Sequence, residues 1–216
     1  MKAVLEGVHS YLNETRKKYS HATILRSKNK SFCDLACALH CLAVAIGDLN
    51  GMRRVEVDIL NESLRFHIAG DADKSAIVDT QLQLASCYHA VGDPTKAITS
   101  YGEALQLNMD IYGDEYHGLS KILYHMGVLY CDQDQYGSAL ECFQKALVVS
   151  HCQPKKSRID ENIAKIYCWI GNVHRNSGNS FVALQYFEKA RDALEQAAGR
   201  KDLEMAEILQ NIGVIY

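Results

Sequence analysis

Large apolar, small and aromatic residues return in a fixed order along this chain. Leu84-Ala85-Ser86-Cys87-Tyr88, Met126-Gly127-Val128-Leu129-Tyr130, Ile170-Gly171-Asn172-Val173-His174 and Ile212-Gly213-Val214-Ile215-Tyr216 each read large apolar, small, any, any, aromatic, and the small residues stand 42, 44 and 42 positions apart. A second pattern follows three of these blocks. Counting from Gly92, Asp134 and Gly178, the positions at +5, +9 and +12 are Ala97, Tyr101 and Ala104, then Ala139, Phe143 and Ala146, then Ala183, Phe187 and Ala190. Spacings of three and four put such residues on one face of a helix. A large–small–aromatic sequence makes a ridge with a notch, where a second helix can approach closely. Each unit is therefore expected to be helix, turn, helix. Gly92-Asp93-Pro94 supplies one turn, with Asp93 as N-cap and Pro94 at the first helical position, and Gly178-Asn179-Ser180 another.

Upstream the pattern thins. Leu42-Ala43-Val44-Ala45-Ile46 reads as a first helix, and Asn61-Glu62-Ser63-Leu64 closes a second, with Ser63 where alanine is expected. Residues 3–20 carry Val4, Leu5, Val8, Tyr11 and Leu12 on one helical face. The expected organisation is an N-terminal helix and linker over 1–31, a degenerate helical repeat over 32–74, repeats over 75–117, 118–160 and 161–202, and a first helix over 203–216 whose return helix is missing. Self-association through that open C-terminal end is one expected consequence, since uncapped repeats expose apolar surface.

The pattern resembles the tetratricopeptide repeat, whose ordinary period is about 34 residues. The longer period and the linker Ile111-Tyr112-Gly113-Asp114-Glu115-Tyr116-His117 are similar to kinesin light chain repeats. The resemblance implies an all-α fold, an α-α superhelix built as a right-handed solenoid of antiparallel helix pairs.

Composition narrows the function classes. Hydrophobic residues make up 48% and charged residues 23%, with a net charge of −3, which describes a globular chain with no concentrated basic face for nucleic acid. The clusters Arg16-Lys17-Lys18 and Lys155-Lys156-Arg158 read as solvated surface. The longest apolar stretch, 35–46, is broken by His40 and is too short for a membrane span. Eight cysteines fall mostly inside helical patterns, as reduced packed thiols do, so a cytoplasmic location is expected.

No phosphate loop, nucleophile elbow, Cys-x-x-Cys pair or paired histidines around a glutamate occurs in the sequence. Asp114, Glu115 and His117 sit in a repeat linker, which favours a structural role over acid–base work. Cys33, Cys37 and Cys41 fall along one helical stripe beside His40, whereas zinc ligands usually converge from two segments. Trp169 reads as core or inter-helix packing, with a ligand anchor by stacking or apolar burial as the alternative. The expectation is no enzyme, no metal and no cofactor.

By the same resemblance, the first helix of each unit lines a concave surface. The implied row residues are His40, Val44, Leu82 and Ser86 upstream, and Glu207 and Val214 at the end. Between them stand the candidate peptide-binding residues Lys121, Tyr124, Val128, Lys165, Cys168, Asn172, Arg175 and Gln210. Lysine and arginine attract acidic groups, Tyr124 and Val128 offer apolar contact, and Asn172 and Gln210 can bond a peptide backbone in both directions. The expected partner is an acidic peptide or protein segment with a bulky apolar anchor. A carboxylate clamp of the chaperone-binding type is disfavoured, because Cys168 stands where its first lysine belongs. The leading expectation is a protein-interaction adaptor, with motor–cargo linkage as its narrowest form. A regulatory or sensor repeat array is the alternative, and an enzyme is the least favoured reading.

Overall fold

The computed structural model of the chain describes residues 29–47, 52–114, 118–152, 161–196 and 202–215, together with 7, 10, 13 and 14. The amphipathic face at 3–20, both basic clusters and linker residues 115–117 lie outside the described residues. Nine helices are seen among those described: α1 (Asn29–Gly47), α2 (Arg53–Ala69), α3 (Lys74–Val91), α4 (Pro94–Tyr112), α5 (Gly118–Asp132), α6 (Tyr136–His151), α7 (Glu161–Asn176), α8 (Ser180–Gln196) and α9 (Asp202–Gly213). The described residues contain no strand. None of these helices is long and apolar enough to cross a membrane.

The expected turn residues close their helices with one backbone device. Gly92, Asp134 and Gly178 all lie in the left-handed region, at φ 83°, 58° and 79°. At each, the turn residue donates its N–H three residues back and the next residue donates five residues back. Gly92 reaches His89 and Asp93 reaches Tyr88; Asp134 reaches Cys131 and Gln135 reaches Tyr130; Gly178 reaches Arg175 and Asn179 reaches His174. This paired closure satisfies the last carbonyls of the outgoing helix and reverses the chain. The next helix then starts at once. Asp93 Oδ1 accepts the Lys96 N–H at 3.2 Å, the side-chain cap expected before Pro94.

The chain divides into two compact units, Met1–Leu107 and Asn108–Tyr216. In the first, α2 packs on both α1 and α3. Phe32, Ala36, Leu39, Ala43, Ile59, Leu60, Phe66 and Leu84 belong to its core, where the Phe32 and Phe66 rings stack 5.8 Å apart. Glu56, Leu60 and Ser63, each 41 residues before Ala97, Tyr101 and Ala104, are all 0% exposed. The degenerate pattern thus keeps its buried register in this helix while changing its residues. Each polar substitute is satisfied. Ser63 donates to the Ala36 carbonyl of α1 at 2.7 Å, and Glu56 accepts from Arg53 and from Gln83 of α3. A buried carboxylate left without such partners would be strongly destabilising.

In the second unit α5 packs on α6, α7 on α8, and α9 on α8, while α7 also meets α6. The predicted notch is literal here. A Cβ built on Gly127 would come within 2.5 Å of the Phe143 ring, and one on Gly171 within 2.8 Å of the Phe187 ring. Both rings are fully buried, with Ala139, Ala146, Ala183 and Ala190 beside them in sequence and equally buried. The alanines let the helix axes close up, and the missing Cβ admits the ring. Burying each phenylalanine contributes roughly 1.5–3 kcal/mol.

Candidate peptide-binding face

All eight candidate binding residues fall in the second unit, on α5, α7 and α9. Lys121, Tyr124 and Val128 follow one stripe of α5, and Lys165, Cys168, Asn172 and Arg175 the corresponding stripe of α7. Lys121, Lys165 and Gln210 are exposed; Tyr124, Val128, Cys168, Asn172 and Arg175 are half-buried. Ile122, Gly127, Leu129, Ile166, Ile170 and Val173 face the core instead. The periodicity therefore separates a packed face from an accessible one on each helix.

Two contacts tie the three helices together along this face. The Trp169 indole N–H of α7 donates to the Tyr124 hydroxyl of α5 at 3.1 Å. Arg175 of α7 donates to Asn211 Oδ1 of α9 at 2.9 Å. Trp169 also stacks against Phe143 at 6.4 Å, and Tyr124 lies 6.3 Å from the same ring. The expected packing role of Trp169 is thus realised, but its polar edge also fixes Tyr124. Its signal in the sequence was an aromatic beside a row position, which periodicity assigns to packing alone. Arg175 serves as an inter-helix tie as well as a cation, a role that no local pattern announces.

Burial sets the electrostatics of two residues on this face. Burial, then the nearby Glu207 carboxylate, pushes the Cys168 thiol up to about 12. At neutral pH it is a protonated, weakly polar contact rather than a nucleophile. Burial likewise raises the Tyr124 phenol, partly opposed by the Trp169 hydrogen bond. Asn172 Oδ1 is buried and has no hydrogen-bond partner among the described residues. Along this row Lys121 and Lys165 are exposed, whereas Arg175 is half-buried and bonded to Asn211.

In the first unit, the row residue His40 shares a hydrogen bond with Thr80 at 3.3 Å. A shallow cleft of about 220 Å³ there is lined by Asn61, Gln81, Tyr88, Lys96 and Glu103 among others. Its polar groups satisfy one another, since Asn61 bonds Tyr88, Gln81 bonds Glu103 and Lys96 sits over the Tyr88 ring.

Helix pairs closed by identical turns, with a ring seated in a notch of each partner, define a repeat of paired helices. Residues 77–148 and 164–193 match tetratricopeptide repeat families, and the chain carries tetratricopeptide repeats. It is similar to the photosystem I assembly protein Ycf3 of Cuscuta gronovii and of Cuscuta obtusiflora, 27% identical over 106 residues in each. That match spans 49% of this chain and 58% of those proteins. Among solved structures, BtubC from P. vanneervenii superposes with a TM-score of 0.71 at 17% identity, covering 98% of this chain and 81% of that one. A putative kinesin light chain from Podosopora anserina gives 0.68 at 14% identity, covering 86% of each. The quorum sensor NprR from B. thuringiensis gives 0.62 at 19% identity, covering 81% of this chain and 47% of that one. At these identities the structural likeness establishes the fold, an all-α solenoid of the tetratricopeptide type.

Proposed function

We propose that this chain is a non-catalytic interaction scaffold whose second unit docks an extended peptide across α5, α7 and α9. The carrying observation is the exposed pair Lys121 and Lys165, in row with half-buried Tyr124, Val128 and Arg175 on helices tied by Trp169 and Arg175. A peptide with acidic residues around one bulky apolar side chain matches that chemistry. The Asn172 amide and Gln210 supply backbone hydrogen bonds. Eight free cysteines suit a reducing compartment such as the cytoplasm. The narrower reading, a cargo adaptor for a microtubule motor, rests on the 42–44 residue period and the linker at 111–117.

The test is a titration of a fluorescent peptide carrying one tryptophan between glutamates against wild type and a Lys121→Glu/Lys165→Glu variant. Binding weakened at least about tenfold, with helicity unchanged, supports the reading, because removing charge-assisted contacts costs about 1.5–3 kcal/mol each. Equal binding by the two proteins rejects it.

A further inference from the structure

Across α5, α7 and α9 one position carries a charge on every helix, and its sign changes along the row. Lys121, Lys165 and Glu207 each stand six residues before the small residue of their helix, Gly127, Gly171 and Gly213, and all three are exposed. Three residues further on, the same helices present Tyr124, Cys168 and Gln210. Apolar contact is thus available at α5 and α7 and gives way to an amide at α9. The charged position stays open with a return helix in place, for Lys121 and Lys165 are exposed although α6 and α8 pack on their helices. Glu207 turns into the row: after burial, its carboxylate raises the Cys168 thiol, and it adds to the rise at Tyr124. Hydrogen bonds from Trp169 to Tyr124 and from Arg175 to Asn211 tie α5 to α7 and α7 to α9.

We infer that this row reads the order of charge in its ligand: the docked peptide carries two acidic residues and one basic residue at intervals of three, with the basic residue at the α9 end and the bulky apolar residue between the acids. The inference rests on the docking reading above and sets the register within it. Helices packed side by side lie about 8–10 Å apart, and an extended chain advances about 3.3 Å per residue, so successive helices meet every third residue. Acids against Lys121 and Lys165 gain charge-assisted contacts, as does a base against Glu207, whereas an acid at Glu207 is repelled. The apolar residue falls between the acids because Tyr124 and Cys168 stand beside the two lysines. Affinity then follows the arrangement of charge rather than its sum, and a segment acidic throughout is a poorer ligand than a mixed one.

Three end-capped heptapeptides of one composition test this. Each has two glutamates and one lysine at its first, fourth and seventh positions and a tryptophan in each gap, with the lysine first, in the middle or last. They are titrated into wild type and into the charge swap Lys165→Glu/Glu207→Lys, which keeps the net charge and alters two exposed side chains. One of the peptides with lysine at an end is expected to bind wild type at least about threefold tighter than the peptide with lysine in the middle, since a solvated charge pair contributes up to about fivefold. In the swap the preference reverses, and the middle-lysine peptide binds tightest. Equal binding of all three to wild type, or a preference unchanged by the swap, overturns the charge order and leaves peptide docking standing. Absence of saturable binding by any of the three overturns both.

Discussion

Glycine has opposite consequences at different points of this chain, and the difference is a matter of a few ångströms. At Gly127 and Gly171 a methyl group would overlap a buried phenylalanine ring, whereas at Gly213 it meets open space. Overpacking of that kind costs about 1–3 kcal/mol, against the gain of about 1 kcal/mol from alanine's helix propensity. Gly127→Ala and Gly171→Ala are therefore expected to unfold at lower denaturant concentration than wild type. Gly213→Ala is expected to be neutral or stabilising by up to about 1 kcal/mol. The sequence pattern showed the notch and the recurring aromatic of the return helix, but not that the ring fills the notch. It could not reveal Glu56, which occupies the slot of Ala97 and is tolerated only through Arg53 and Gln83. His67 is a second residue visible only in the fold. It is 2% exposed, and burial, then the neighbouring His40, hold its pKa below 6.5. The unfolded chain takes up the proton first as pH falls through 6.5, so stability declines below that point until the folded ring also protonates. His67→Leu is expected to flatten this part of the curve, measured as the denaturant midpoint on either side of pH 6.5.

At the scale of elements, the turns set where each return helix begins. Gly92 and Gly178 were legible as turn residues because glycine alone enters the left-handed region without strain. Asp134 was legible only from its register with them. It holds that conformation with its carboxylate accepting the Tyr136 hydroxyl at 2.8 Å. Gly178→Val places a β-branched residue at φ 79°, with an expected loss of about 1–2 kcal/mol in a denaturant melt. The helix ends were less legible upstream. Counted from the first helix, the degenerate repeat stands 42 residues before its neighbour, yet the buried Glu56, Leu60 and Ser63 stand 41 before theirs. The extra residue falls between Ala43 and Glu56, and Ser63 still bonds Ala36 across the pair, a contact between helices that no periodicity specifies.

For the molecule as a whole, packing was easier to read than recognition. Periodicity divides each helix into a packed and an accessible face. Charge and apolar character of the row residues came directly from the sequence. The ties that hold the row together, Trp169 to Tyr124 and Arg175 to Asn211, join residues 45 and 36 positions apart and required the fold. Arg175→Ala is accordingly expected to loosen α9 as well as weaken an acidic peptide, with faster amide exchange over Asp202–Gly213 as the readout. The most direct test of the scaffold reading locates the bound peptide. Hydroxyl-radical footprinting at saturating acidic peptide is expected to protect Tyr124, Cys168 and Trp169 while leaving Tyr136 and Phe181 unchanged. Protection confined to Tyr136 and Phe181, on the helices that follow the turns, would contradict it.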